Sequence, residues 1–379
     1  MSRIRVLVVD DAVVIRRLVS DCLAADPQIE VVGTAANGQI GLAKIAQLNP
    51  DLVTLDIEMP VMDGLQTLVA LRKIYPRLPV IMFSTLTERG AASTLDALAL
   101  GATDYVTKPA NVGSMSMGMQ RIREELIPKI RALCGQVAAP VAAAPGRLGG
   151  DGARLFRPES SAPAGVDIVA IGVSTGGPKA LATLLPGLAK DFPVPILIVQ
   201  HMPPLFTRML AERLGAVSGL TAREGENGAP LLPGEVWVAP GGLHMELERS
   251  GTTVRLRTQD GPPENSCRPS VDVLFRSVAL LYGSRTLAVV LTGMGQDGLR
   301  GCERIREAGG QVLAQDEASS VVWGMPGAVS QAGLANRVLP LSQLAFEINR
   351  RVQPRADLAR ALATAAQGLV PRIPVPQAP

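Results

Sequence analysis

Aromatic side chains make up only 3% of this 379-residue chain, so Val, Leu, Ile, Ala and Met must fill its cores. Cysteine is scarce as well: Cys22, Cys134, Cys267 and Cys302 lie far apart, with no C-x-x-C pair. That scatter argues against thiolate metal clusters and a disulfide framework, and for reduced thiols in the cytoplasm. Charge of one sign is missing too, since 37 Lys+Arg against 34 Asp+Glu leave a formal +3. With no basic cluster and no interleaved aromatics, nucleic acid is not an expected partner. No apolar run approaches the roughly 20 residues that span a bilayer, so membrane insertion is not expected either. The opening MSRIRVLVVDD enters a strand at once and lacks a signal-peptide layout, which fits a cytoplasmic location. What is present is globular: 47% hydrophobic and 19% charged residues, at a length suited to two domains.

Residues 1–125 alternate short β-branched runs with segments of helical period. The runs are RVLVV (5–9), VVGTA (31–35), LVTLD (52–56), VIMFS (80–84) and DYVTK (104–108). In the first gap Val14, Leu18 and Cys22 recur at helical spacing. Strands alternating with helices pair in parallel through right-handed crossovers, which predicts a five-stranded, doubly wound α/β sheet. A helix end and an Ala/Gly/Pro-rich linker take up 126–165; between 135 and 165 there are eight Ala, six Gly and four Pro, without periodicity. From 166 to 350 the alternation resumes, with DIVAIGV, PILIVQ, EVWVAP, TLAVVLTG and QVLAQD as strands. Helices are expected over about 178–189 and 297–308. Residues 351–379 return to Ala and Pro and form a loose tail.

In open α/β sheets the site lies beyond the carboxyl ends of the strands, and there the polar residues of the first domain fall. Asp10 and Asp11 end the first strand, Asp56 the third, Ser84 the fourth and Lys108 the fifth. Three carboxylates at neighbouring strand ends repel unless a hard cation sits among them, and such oxygen ligands suit Mg²⁺. A carboxylate flanked by Mg²⁺ and a lysine can accept a phosphoryl group, because both cations neutralise its equatorial oxygens. The competing reading, helix-capping aspartates, explains one such residue more easily than polar groups at four strand ends on one sheet edge. VLVVDD, LDIEMPVMDG and VTKP, in this order, resemble a response-regulator receiver domain of flavodoxin-like fold over about residues 3–125. The resemblance implies that Asp56 takes phosphate from a sensor histidine kinase. It also implies that Asp11, Asp56 and the Glu58 carbonyl ligate Mg²⁺, with Asp10 assisting through water. Ser84 and Tyr105 are then the switch pair, and Lys108 contacts the phosphoryl group.

In the second half, GVSTGGPKA (172–180) sets Ser174 on a tight strand-to-helix turn, with Pro178 opening the helix. Free N–H groups at such a helix start suit an oxyanion beside a nucleophile. A phosphate is the alternative occupant, encouraged by Lys179, but G-x-x-x-x-G-K-[ST] is absent. A serine nucleophile needs a base, and the chain has two histidines. His201 ends a strand as Ser174 does; His244 follows a Gly-Gly turn and reads as structural. Asp297, in LTGMGQDG, follows another strand through glycines at 293, 295 and 298 and can hold the imidazole in its useful tautomer. Taken alone, it could equally cap the next helix. G172-x-S174-x-G176 also fits the α/β-hydrolase nucleophile elbow. That order places histidine after the acid, which would require Glu224 or Glu235 with His244.

GVSTGGP, VQHMP, VAPGGLH, LTGMGQDG and WGMPGAV, in this order over about 166–350, resemble the catalytic domain of the chemotaxis protein-glutamate methylesterases. The resemblance implies a second doubly wound α/β domain with Ser174 as nucleophile, His201 as base then acid, and Asp297 as orienting carboxylate. Backbone N–H groups of Thr175 and Met294 are the expected oxyanion donors. It implies a phosphorylation-activated hydrolase of glutamate methyl esters, and of glutamine amides, on methyl-accepting chemoreceptors. No cofactor is expected for that step. Two other classes compete: a phosphorylation-dependent adaptor with a degenerate site, and a transcriptional regulator. Intact Ser, His and Asp oppose the first, and the missing helix-turn-helix and basic face oppose the second.

Overall fold

The computed structural model describes residues 3–108, 115–135 and 165–352; the Ala/Gly/Pro-rich linker and the C-terminal tail fall largely outside them. The first part runs β1 (Ile4–Val9), α1 (Val13–Ala24), β2 (Ile29–Ala35), α2 (Gly38–Leu48), β3 (Leu52–Asp56), α3 (Gly64–Ile74), β4 (Val80–Ser84), α4 (Glu88–Ala99), β5 (Asp104–Thr107) and α5 (Met115–Cys134). Its sheet is parallel, in the order β2-β1-β3-β4-β5. Helices on both faces bury every residue of β3, β4 and β5, which is why β3 and β4 read as mainly apolar runs. Val14, which shares the helical spacing of Leu18 and Cys22, is 57% exposed; α1 buries Leu18, Val19, Cys22 and Leu23 instead. The apolar stripe therefore begins one turn later than the spacing suggested.

The second part runs β6 (Ile168–Val173), α6 (Gly177–Leu184), β7 (Ile196–Gln200), α7 (Phe206–Ser218), β8 (Thr221–Glu224), β9 (Glu235–Val238), β10 (His244–Ser250), β11 (Thr253–Gln259), α8 (Val271–Tyr282), β12 (Thr286–Val290), α9 (Leu299–Glu307), β13 (Gln311–Gln315), α10 (Met325–Gln331) and β14 (Arg337–Leu339). Seven strands form a parallel sheet in the order β14-β13-β12-β6-β7-β9-β8. Expectation and structure differ in three places. The helix expected to reach 189 stops at Leu184 and tightens into a 3₁₀ turn, where Pro186 removes a backbone donor. The edge strands β8 and β14 are short and largely open to solvent, so no apolar run marks them. The antiparallel hairpin β10–β11 lies outside the main sheet and turns Met245, Leu247 and Leu256 onto the core, with charged residues between them.

Each sheet has one point where neighbouring strands feed connections in opposite directions, and the crevice there is where α/β sheets bind ligands. In the first sheet it lies between β1 and β3, and in the second between β6 and β12. The two parts pack together through α4 and β5 on one side and α6 and α7 on the other. Tyr105 stacks on Phe206, centroids 5.0 Å apart and planes 6° off parallel. Thr175 Oγ1 donates to Asp104 Oδ2 at 2.9 Å, and Arg208 and Arg213 pair with Glu88 and Asp96 at 2.9 and 2.6 Å.

Candidate functional sites: a carboxylate pocket and a Ser-His-Asp crevice

At the first crevice Asp10 and Asp56 are buried and Asp11 is exposed at the rim, with one oxygen from each within 4.8 Å of the others. Lys108 Nζ lies 2.8 Å from Asp56 Oδ1 and 3.0 Å from Asp10 Oδ2. Local caps hold the carboxylates still: Ala12 N donates to Asp10 Oδ1 at 2.9 Å, and Ile57 N to Asp56 Oδ1 at 2.7 Å. Asp56 Oδ2 is buried without a hydrogen-bond partner. Burial pushes the Asp56 carboxyl up to about 6, although Lys108 pulls the other way. The cavity of about 230 Å³ that opens here is lined by Asp11, Asp56, Glu58, Thr85 and Lys108. An unpartnered buried carboxylate oxygen among three clustered acids is the donor set a hard divalent cation fits. Glu58 lines this cavity but turns its side chain outward, 3.6 Å from Arg89. The structure turns Ser84 away from Asp56: its hydroxyl bonds Thr94 Oγ1 at 2.5 Å and the Gly90 carbonyl at 3.1 Å, both on α4. Tyr105 is buried against the second domain, and burial raises its phenol.

At the second crevice Ser174 follows β6, His201 follows β7, and Asp297 lies in the loop between β12 and α9. Ser174 N donates to the Thr292 carbonyl at 3.0 Å, tying the end of β6 to the end of β12. That approach needs glycine at 293, because a Cβ there would sit 2.9 Å from Ser174 Cβ and overlap Met325 Sδ. Gln200 Nε2 supports the turn from below, donating to the Ser174 carbonyl at 3.0 Å.

His201 Nε2 meets Asp297 Oδ2 at 2.8 Å. Asp297 is buried and encircled by donors: Val271 N on Oδ2 at 2.7 Å, and Asn265 Nδ2, Ser270 Oγ, Asp272 N and Gly298 N on Oδ1 at 2.9, 2.8, 3.1 and 3.1 Å. Burial alone would raise its pKa, but the imidazole and these donors hold it at about 2. Burial likewise works against charge on His201, but its hydrogen bonds with the Asp297 carboxylate and Cys267 outweigh it and lift the ring to about 9. With Nε2–H directed at Asp297, Nδ1 is the free base nitrogen. Among the described residues no hydrogen bond joins it to Ser174; Cys267 Sγ stands 3.6 Å away instead. Thr175 is buried and Met294 half-buried, and among the described residues neither backbone N–H has a backbone acceptor.

His244 is buried, with Nε2 on the Pro262 carbonyl at 3.0 Å and Nδ1 accepting from Ser270 N at 3.2 Å. Glu224 takes the Thr207 hydroxyl. The alternative elbow arrangement through His244 therefore finds no acid. Sequence reasoning missed Cys267, Asn265 and Ser270, which gather around His201 and Asp297 from one turn before α8. The stretch NSCRPS carries no period or motif of its own to announce them.

A two-domain α/β protein with a phosphoacceptor-type carboxylate pocket and a Ser-His-Asp crevice is a receiver joined to a hydrolase. Residues 6–117 match the response regulator receiver domain model, and residues 169–348 match that of the CheB methylesterase. A protein-glutamate methylesterase/protein-glutamine glutaminase of Trichodesmium erythraeum is 54% identical over 357 residues, 93% of this chain and all of that protein. One from a Nocardioides species is 54% identical over 362 residues, covering 93% and 96% of the two chains. The crystal structure of the Thermotoga maritima CheB methylesterase catalytic domain aligns at 42% identity and a TM-score of 0.48, covering 49% of this chain and 99% of that one. The chain belongs to the protein-glutamate methylesterase/protein-glutamine glutaminase family. Among the described residues, no helix is long and apolar enough to cross a membrane.

Proposed function

We propose that the chain is a phosphorylation-activated serine hydrolase of glutamate methyl esters, and of glutamine amides, on methyl-accepting chemoreceptors. The observation that carries this reading is the 2.8 Å contact of His201 with a fully anchored Asp297, in the same crevice as Ser174. His201 Nδ1 takes the Ser174 hydroxyl proton as Oγ attacks the ester carbonyl. Asp297 holds the ring and stabilises the imidazolium. The Thr175 and Met294 amides, free of backbone acceptors, are the donors for the tetrahedral oxyanion. Methanol leaves with the proton from His201, and water, deprotonated by the same nitrogen, releases the glutamate. Membranes carrying methylated receptors should release methanol faster once a small-molecule phosphodonor and Mg²⁺ are added. No release from any receptor, despite phosphate on Asp56, would favour a phosphorylation-dependent adaptor instead.

In the receiver, Asp56 is the phosphoacceptor and a sensor histidine kinase the donor. Asp10, Asp11 and Asp56 would hold Mg²⁺, which supplies charge neutralisation for the incoming phosphoryl group. Lys108 bridges Asp10 and Asp56, which supports a role for it in contacting that group. Asp56→Ala should make hydrolysis rates with and without phosphodonor equal; a surviving response would put the acceptor elsewhere.

The control runs through the interface. Thr175, next to the nucleophile, is bonded to Asp104, the neighbour of Tyr105. The docked receiver thus sits against the edge of the crevice, and drawing Ser84 and Tyr105 toward phosphorylated Asp56 would pull both contacts. An aromatic stack contributes about 0.5–1.5 kcal/mol beyond its area. Tyr105→Leu should therefore raise donor-independent hydrolysis by about two- to tenfold, as the docked population falls. An unchanged basal rate would mean that docking does not restrict the site.

A further inference from the structure

We propose that His201 Nδ1 and Cys267 Sγ form a binding site for a thiophilic divalent cation, Zn²⁺ in the first instance, and that the bound ion blocks the hydrolase. The two atoms are 3.6 Å apart. Zn–N and Zn–S bonds of ordinary length, set at the tetrahedral angle, place their donors about 3.6 Å apart. A zinc-binding histidine normally gives its other N–H to a carboxylate, which fixes the tautomer. Here that partner is already in place: Nε2 meets Asp297 Oδ2 at 2.8 Å, and one ligand atom each of His201, Cys267 and Asp297 lies within 4.8 Å of the others. Asp297 is kept by its donors in the supporting position, with His201 and Cys267 as the direct ligands and water in the remaining places.

The thiol is held on a fixed turn. Glu264 and Cys267 exchange backbone hydrogen bonds of 3.1 and 2.8 Å, and Asn265 and Ser266 between them both adopt positive φ, 52° and 61°. Arg276 clamps the turn through both Glu264 oxygens at 2.6 Å. Cys267 is a free thiol, half-buried beside the crevice. The N/S pair prefers a borderline-soft ion, whereas the all-oxygen pocket at Asp56 suits Mg²⁺, so the two sites differ in ligand type. On binding, zinc accepts the Nδ1 lone pair and the thiolate; the thiol proton, and the Nδ1 proton of a charged ring, go to solvent, and the Nε2 proton stays on the ring, donated to Asp297. Zinc then holds the lone pair that would have taken the Ser174 proton.

Binding does not depend on the proposed esterase activity, whereas inhibition does, so the two are read separately. Co²⁺ added to the full chain should give a thiolate charge-transfer band at one ion per chain, and Zn²⁺ should abolish it. The band should persist in Ser174→Ala and disappear in both Cys267→Ser and His201→Gln, each checked for native circular dichroism. No band in the wild type, or a band undiminished in Cys267→Ser, would overturn the site and leave a plain thiol–imidazole hydrogen bond. In methanol-release assays with Mg²⁺ in excess, zinc should inhibit the wild type, and Cys267→Ser should need at least about tenfold more zinc for the same fractional loss. Stoichiometric zinc binding without loss of turnover would overturn the claim that the ion takes the base.

Discussion

Ser174→Ala should reduce turnover of a receptor glutamate methyl ester by about a millionfold, the scale of loss when a serine triad is deprived of its nucleophile. The change removes one oxygen and leaves its surroundings intact. The Ser174 backbone still bonds Thr292, and Gln200 still holds the turn. The receiver is separated from this oxygen by the domain interface, so phosphorylation of Asp56 by a small-molecule donor should continue. Methanol release and phosphoprotein formation, measured on one preparation, therefore separate the two crevices. Residual release near the wild-type rate would mean that another group attacks the ester. Cys267 would then be first to examine, since its thiol already faces the base nitrogen.

Much of this arrangement was legible in the sequence because burial on both faces of a parallel sheet writes a simple signature. LVTLD and VIMFS stand out as apolar runs whose last residues, Asp56 and Ser84, end strands β3 and β4. A polar residue that closes such a run lies at the carboxyl end of the sheet, so topology converts sequence position into a site. Ser174, His201 and Asp297 follow the same logic. What stayed hidden depends on contacts between distant segments. Cys267 is 66 residues from His201, and Thr175 is 71 from Asp104, with no periodicity to link either pair. The hairpin β10–β11 was illegible for a local reason: Glu246, Glu248, Arg255 and Arg257 break up the few apolar residues that it turns inward. The proposed switch pair, Ser84 and Tyr105, shows a further limit. That Ser84 bonds α4 follows from packing within the receiver, and that Tyr105 stacks on Phe206 follows from domain docking; no local pattern encodes either.

Asp297→Asn should lower turnover by about ten-thousandfold with the fold retained, because the amide inverts the tautomer of His201. Each group bonded to the Asp297 carboxylate is a donor. An amide NH₂ on the Oδ1 side would meet Asn265 Nδ2, Asp272 N and Gly298 N, as well as the Ser270 hydroxyl. On the Oδ2 side it meets the Val271 amide and His201 alone. The second orientation leaves fewer donors opposed, at a cost of about 1–3 kcal/mol for the unmet Val271 N–H. There the amide donates to Nε2 and drives the ring proton to Nδ1, the nitrogen that must accept from Ser174. The pH dependence should change with it. In the native protein His201 is held at about 9, so hydrolysis with a chelator present should rise as pH climbs toward that value and the ring becomes neutral. A histidine raised on folding adds stability that is whole below the unfolded value of 6.5 and is lost as pH rises through about 9. With the carboxylate gone, Cys267 alone opposes burial, and the ring falls below its native value. The alkaline loss of stability should shrink along with the displaced activity limb. Denaturant unfolding and initial rates across this range check both effects on one pair of proteins. A variant that keeps wild-type turnover, or the wild-type pH limb, would show that Asp297 does not set the state of His201.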